Sequence, residues 1–106
     1  LALQEERDMT TYVLLWNVPP QMPGEIRSLG ERVRGFEREL AQRFSDVQSV
    51  ASYALLGPYD FLHIFEAPDA NAAAKVALLA QAFGAGTTQT LTAIPFDEFN
   101  AIVDEV

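Results

Sequence analysis

The run Gly57-Pro58-Tyr59-Asp60-Phe61-Leu62-His63-Ile64-Phe65-Glu66-Ala67-Pro68-Asp69 limits the possible folds more than any other part of the chain. It reads as a tight turn, an almost wholly apolar strand over about 60–67, and a break that starts a helix. Strand side chains alternate, so Phe61, His63 and Phe65 share one face while Leu62 and Ile64 take the other. A strand that is apolar on both faces must be covered on both, which places this one at the centre of its sheet. Residues 11–18 have the same character, with Tyr12, Leu14 and Trp16 on one side and Val13 and Leu15 on the other.

The remaining elements follow from periodicity and punctuation. Pro19, Pro20, Pro23 and Gly24 break the chain into a loop after the first strand. Ile26, Leu29, Val33, Phe36 and Leu40 then form one stripe of an amphipathic helix over about 25–44. Gly30 and Gly35 each cost this helix about 1 kcal/mol relative to alanine, so packing must compensate or another part of the chain must approach closely there. Residues 47–56 read as a second strand. A type I turn pairing Gly57 with Asp60 sets a hairpin register in which Ala54 faces His63, Ser52 faces Phe65 and Leu56 faces Phe61. Pro68 stops the third strand and Asp69 is a good N-cap for an alanine-rich helix over 70–83, with Gly84 at its exit. Threonine-rich residues 87–94 form a fourth strand, and residues 96–103 a short terminal helix with Asp97 and Glu98 in its first turn.

The order βαββαβ plus a C-terminal helix is solved by a ferredoxin-like α+β sandwich: a four-stranded antiparallel sheet with both long helices on one face. Those helices bury one face only. The second apolar face predicts a homodimer closed sheet to sheet. Residues 1–10 are expected to be a flexible N-terminal extension, with Met9 a candidate start, and 11–106 the domain.

Composition narrows the function. With 106 residues the chain makes one domain. It has no cysteine, which excludes disulfides, thiolate metal sites and cysteine nucleophiles and suits a reducing cytoplasm. The net charge of −8 argues against nucleic acid and anionic membranes as partners. Five of the seven cations lie between Arg27 and Arg43 among acidic neighbours. They read as a solvated helix face with Arg27–Glu31 and Glu39–Arg43 pairs, an anion site being the alternative. No apolar run approaches the roughly 20 residues of a membrane span.

Few residues are equipped for chemistry. His63 is the only side chain whose unperturbed pKa lies near neutrality, and it can be a general base, a metal ligand or simply a packed histidine beside aromatics. Glu66 is the second catalytic candidate, because a buried carboxylate can have a raised pKa, although pairing with an arginine of the first helix is the plainer reading. Alternation points Asp60 and Glu66 away from His63. Tyr12, Trp16, Tyr53 and Tyr59 have apolar bodies and polar tips suited to a ligand pocket, and Asp60 either joins them or bonds backbone amides. The loop after Trp16 is a candidate lid. No metal site and no phosphate loop is expected.

Gly57-x-Tyr59-Asp60-Phe61, Glu66-Ala67-Pro68-Asp69, the alanine-rich helix, Thr88-x-Thr90-Leu91, the terminal helix and the opening Thr11-Tyr12-Val13-Leu14-Leu15 together resemble the GYD-domain family. The resemblance covers most of 9–106 and is weakest over 17–44. It implies a dimeric α+β barrel and no established activity. The family's wider relatives include cofactor-free monooxygenases, haem enzymes, small-molecule isomerases and ligand-sensing domains of transcription regulators. The function expected is therefore small-molecule binding or sensing by a homo-oligomer. A purely structural assembly module and an enzyme using His63 are the alternatives, with no cofactor assigned.

Overall fold

The computed structural model describes residues 9–20 and 25–106. The expected N-terminal extension and the middle of the Pro-rich loop lie outside the described residues. The elements are β1 (Thr10–Asn17), a 3₁₀ turn (Ile26–Ser28), α1 (Leu29–Arg43), β2 (Gln48–Ala54), β3 (Phe61–Ala67), α2 (Ala70–Ala82), β4 (Thr87–Ala93) and α3 (Phe96–Asp104). The strands form one sheet in the order β2-β3-β1-β4, every neighbouring pair antiparallel. This is the ferredoxin-like α+β arrangement, and the two doubly apolar strands are its central pair.

α1 and α2 lie on one face and bury Tyr12, Leu14 and Trp16 of β1 together with His63, Phe65 and Ala67 of β3. Against these pack Phe36 and Leu40 from α1 and Ala72, Ala73, Val76, Leu79 and Ala80 from α2. The alanines let α2 lie close to the sheet. Asp69 caps α2, its carboxylate accepting from the Ala72 N–H at 2.9 Å. Gly84 leaves the helix at φ +104°, a conformation natural to glycine. Gly35 also has a packing reason: a Cβ there would stand 2.8 Å from the Phe83 ring.

The hairpin register differs from the expected one by two residues. Ala54 pairs with Phe61, Tyr53 with Leu62 and Ser52 with His63. The chain closes with the Leu55 N–H donating to the Asp60 carbonyl at 2.8 Å, and Gly57 takes φ +147°. The loop is therefore wider than a Gly57–Asp60 turn, and β2 ends earlier. A bulge between Ser49 and Ala51 then ejects Val50 and turns Ser49 toward the helix face opposite Phe65.

Among the described residues, nothing covers the other face of the sheet. Val13, Leu15, Leu62 and Ile64 are half-buried there, with Leu91 and Tyr53 exposed. α3 does not cover it: every residue from Ile94 to Val106 is exposed. Phe96, Phe99, Ile102 and Val103 form an apolar stripe on that helix, and the rings of Phe96 and Phe99 are 6.2 Å apart.

Candidate functional site

His63 sits at the middle of β3, 1% exposed, under α1. Phe36 meets its ring edge-on at 5.6 Å and Phe65 stacks on it at 5.8 Å. Both ring nitrogens are engaged by the neighbouring strand: Ser52 Oγ lies 2.7 Å from Nδ1 and Ser49 Oγ 3.2 Å from Nε2. The bulge makes this possible, because it brings two hydroxyls three residues apart onto one imidazole. Burial without any charged partner pushes the histidine's pKa down to about 4, so the ring is neutral at physiological pH.

Glu66 is remote from this cluster. It lies on the open face, half-buried, opposite Thr11 and Gln48, while α1 and its arginines are on the other side of the sheet. The expected pairing of Glu66 with an arginine of the first helix is therefore not formed. Arg43 and Glu39 do approach to 3.8 Å, whereas Arg27 and Glu31 are not within ion-pair distance.

The aromatic candidates separate in the same way. Tyr12 stacks on Phe65 at 5.6 Å within the core. Trp16 packs edge-on to Phe36 at 5.4 Å and tilted on Phe61 at 5.6 Å. Tyr53 stands exposed on β2. Tyr59 donates its hydroxyl to Gln89 Oε1 of β4. Asp60 accepts at Oδ2 from the Val18 N–H at 2.9 Å, and its own N–H donates to the Trp16 carbonyl at 3.0 Å. The Tyr-Asp pair thus fastens the β2–β3 loop to the exit of β1 and to β4.

Of these aromatic candidates, Trp16 and Tyr53 share a cavity. It is a groove of about 280 Å³ between α1 and the end of β2, open to solvent, and it also takes in Gly30, Arg34, Glu37 and Ser52. Sequence reasoning had not joined these residues. Ser52 could have been found as a hydroxyl facing the lone histidine, but only in the correct register. Among the described residues, no group of three or more histidine, aspartate or glutamate side chains could hold a metal ion, and no helix is long and apolar enough to cross a membrane.

Known proteins resemble the chain at two levels. A Thermus thermophilus protein named "Glutamine synthetase and cystathionine beta-lyase binding protein" is 37% identical over 87 residues, covering 82% of this chain and 90% of that one. Structural likeness extends further. A dimeric protein of unknown function and ferredoxin-like fold from Bacteroides fragilis superposes with TM-score 0.50 at 9% identity, over 81% of this chain and 95% of its own. An AsnC family transcriptional regulator from Agrobacterium tumefaciens does so with TM-score 0.53 at 18% identity. That match covers 81% of this chain and 50% of the regulator, so the chain spans half the regulator's length. The GYD domain matches residues 12–103, nearly the whole sheet-and-helix unit described above, and the chain belongs to the GYD-domain family.

Proposed function

We propose that the protein is a binding and regulatory module that works as a homodimer. The carrying observation is the open sheet face, where Val13, Leu15, Leu62, Ile64 and Leu91 form an apolar surface without cover among the described residues. Four strands at ~4.8 Å spacing and seven residues at ~3.3 Å rise give it a footprint of roughly 19 by 23 Å. A second copy of the same face, with α3 laid along its rim, brings the contact to the scale of standard protein interfaces, about 800 Å² per partner. The acidic side chains of α3 then stay in water and its apolar stripe is covered.

The name of the Thermus relative supports a protein-binding role, exerted on enzymes such as glutamine synthetase. A small-molecule ligand fits the same reading: the groove beside α1 adjoins the open face and shares Tyr53 and Leu62 with it. His63 is read as a packed residue: it is buried, neutral and bonded at both nitrogens, and Glu66 is across the sheet. Light scattering tests the dimer. Twice 11.7 kDa is expected at micromolar concentration, falling to one chain in Ile64→Lys, and a monomer of the unaltered protein at all concentrations overturns it. Purified glutamine synthetase and cystathionine β-lyase on a biosensor surface test the protein partners directly.

A further inference from the structure

We infer that the groove between α1 and β2 binds a small zwitterion with an apolar body, of the size of an amino acid with a large side chain. The inference deepens the binding reading above and rests on it. The first observation is Gly30. Glycine is the least favourable helix residue after proline, yet among the described residues no atom lies within 4 Å of where its Cβ would stand. Gly35, one and a half turns on, is needed to admit Phe83. Gly30 admits nothing from the described protein. It lines the groove, and its missing side chain keeps that groove open.

The walls match an apolar body. Trp16 and Phe61 lie below and Val33 on the helix side. At about 280 Å³ the space sits at the lower end of ligand pockets, which suits a small metabolite rather than a nucleotide.

The mouth carries one charge of each sign. Arg34 and Glu37 are three residues apart on a helix and so lie side by side, Cβ atoms about 5–6 Å apart. Neither is in an ion pair or hydrogen bond among the described residues. A guanidinium takes a carboxylate in paired hydrogen bonds, and the adjacent carboxylate takes an ammonium. One ligand bearing both groups satisfies both, whereas a plain acid or a plain amine faces one repelling neighbour. Ser52, which lines the same groove, offers a hydroxyl held in place by buried His63 at 2.7 Å.

Titration calorimetry with L-phenylalanine, 3-phenylpropanoate and phenethylamine tests this. L-phenylalanine is expected to bind saturably in the millimolar range or tighter, and each analogue lacking one charge about tenfold more weakly or worse. Arg34→Gln should remove the advantage over phenethylamine, and Glu37→Gln the advantage over 3-phenylpropanoate. Gly30→Leu should abolish binding without lowering the melting temperature. No saturable binding of L-phenylalanine, L-leucine or L-methionine, equal binding of the analogues, or undiminished binding by folded Gly30→Leu would each overturn the inference. Mass measured on the same samples separates this result from the dimer: a dimer that binds none of the probes leaves the assembly reading intact.

Discussion

Acidification should unfold this protein partly through one buried ring. His63 has a folded-state pKa of about 4 against 6.5 when exposed. Between these values the unfolded chain binds a proton that the native chain refuses, so stability falls as pH falls from 6.5 toward 4 and is fully present above. The gap of roughly 2.5 units corresponds to about 3 kcal/mol in total, of which about 2 kcal/mol is already lost at pH 5. Below pH 4 both states are protonated and the effect is complete. Among the described residues, Phe36, Phe65, Ser49 and Ser52 meet the ring, and none of them carries a charge to stabilise the imidazolium. Urea unfolding followed by the fluorescence of Trp16, at fixed protein concentration, measures the loss. Carboxylates titrate in the same range, so the informative quantity is the difference between the unaltered protein and His63→Gln. That difference should shrink by about 2 kcal/mol from pH 7.5 to 5. A difference constant to within ~0.5 kcal/mol, or a histidine that titrates near its exposed value by NMR, would refute the reasoning.

Three further predictions concern packing and the turn. Asp60→Ala should lose about 2 kcal/mol in urea titrations, because it leaves the Val18 N–H without its charged acceptor, while Asp60→Asn loses about 1 kcal/mol. The two helix glycines should respond oppositely: Gly35→Ala loses about 1–3 kcal/mol against the Phe83 ring, and Gly30→Ala gains up to about 1 kcal/mol, both read from thermal melts. Phe65→Ala should cost about 3–5 kcal/mol, since that ring is fully buried between Tyr12 and His63.

Much of the fold was legible because its signals are local. Phe36 and Leu40 reach the core from one helical stripe, and alternation separates Tyr12, Leu14 and Trp16 from Val13 and Leu15. Asp69 and Gly84 mark the ends of α2 by their chemistry. The hairpin was less legible. Pro58 suggested a tight type I turn, but closure at Leu55 and Asp60 moves every pair by two. An even shift leaves the faces intact, so the core was placed correctly while the partners of His63 were not. The bulge at Val50 has no sequence signal and inverts the faces of the first residues of β2, which is why Ser49 was missed. The groove was hidden for another reason: α1, β1, β2 and β3 each contribute to it, and no single stretch of sequence carries its pattern.

The β2–β3 loop looks like an ordinary exposed tip, the kind of place where extra residues are usually harmless. Here Asp60 and Tyr59 make it a rivet through three strands, one head on Val18 and the other on Gln89. Grafted peptides or circular-permutation breaks at 57–60 should therefore fail, whereas the short connection at Ser45 and Asp46, exposed and without such fastenings, should accept them.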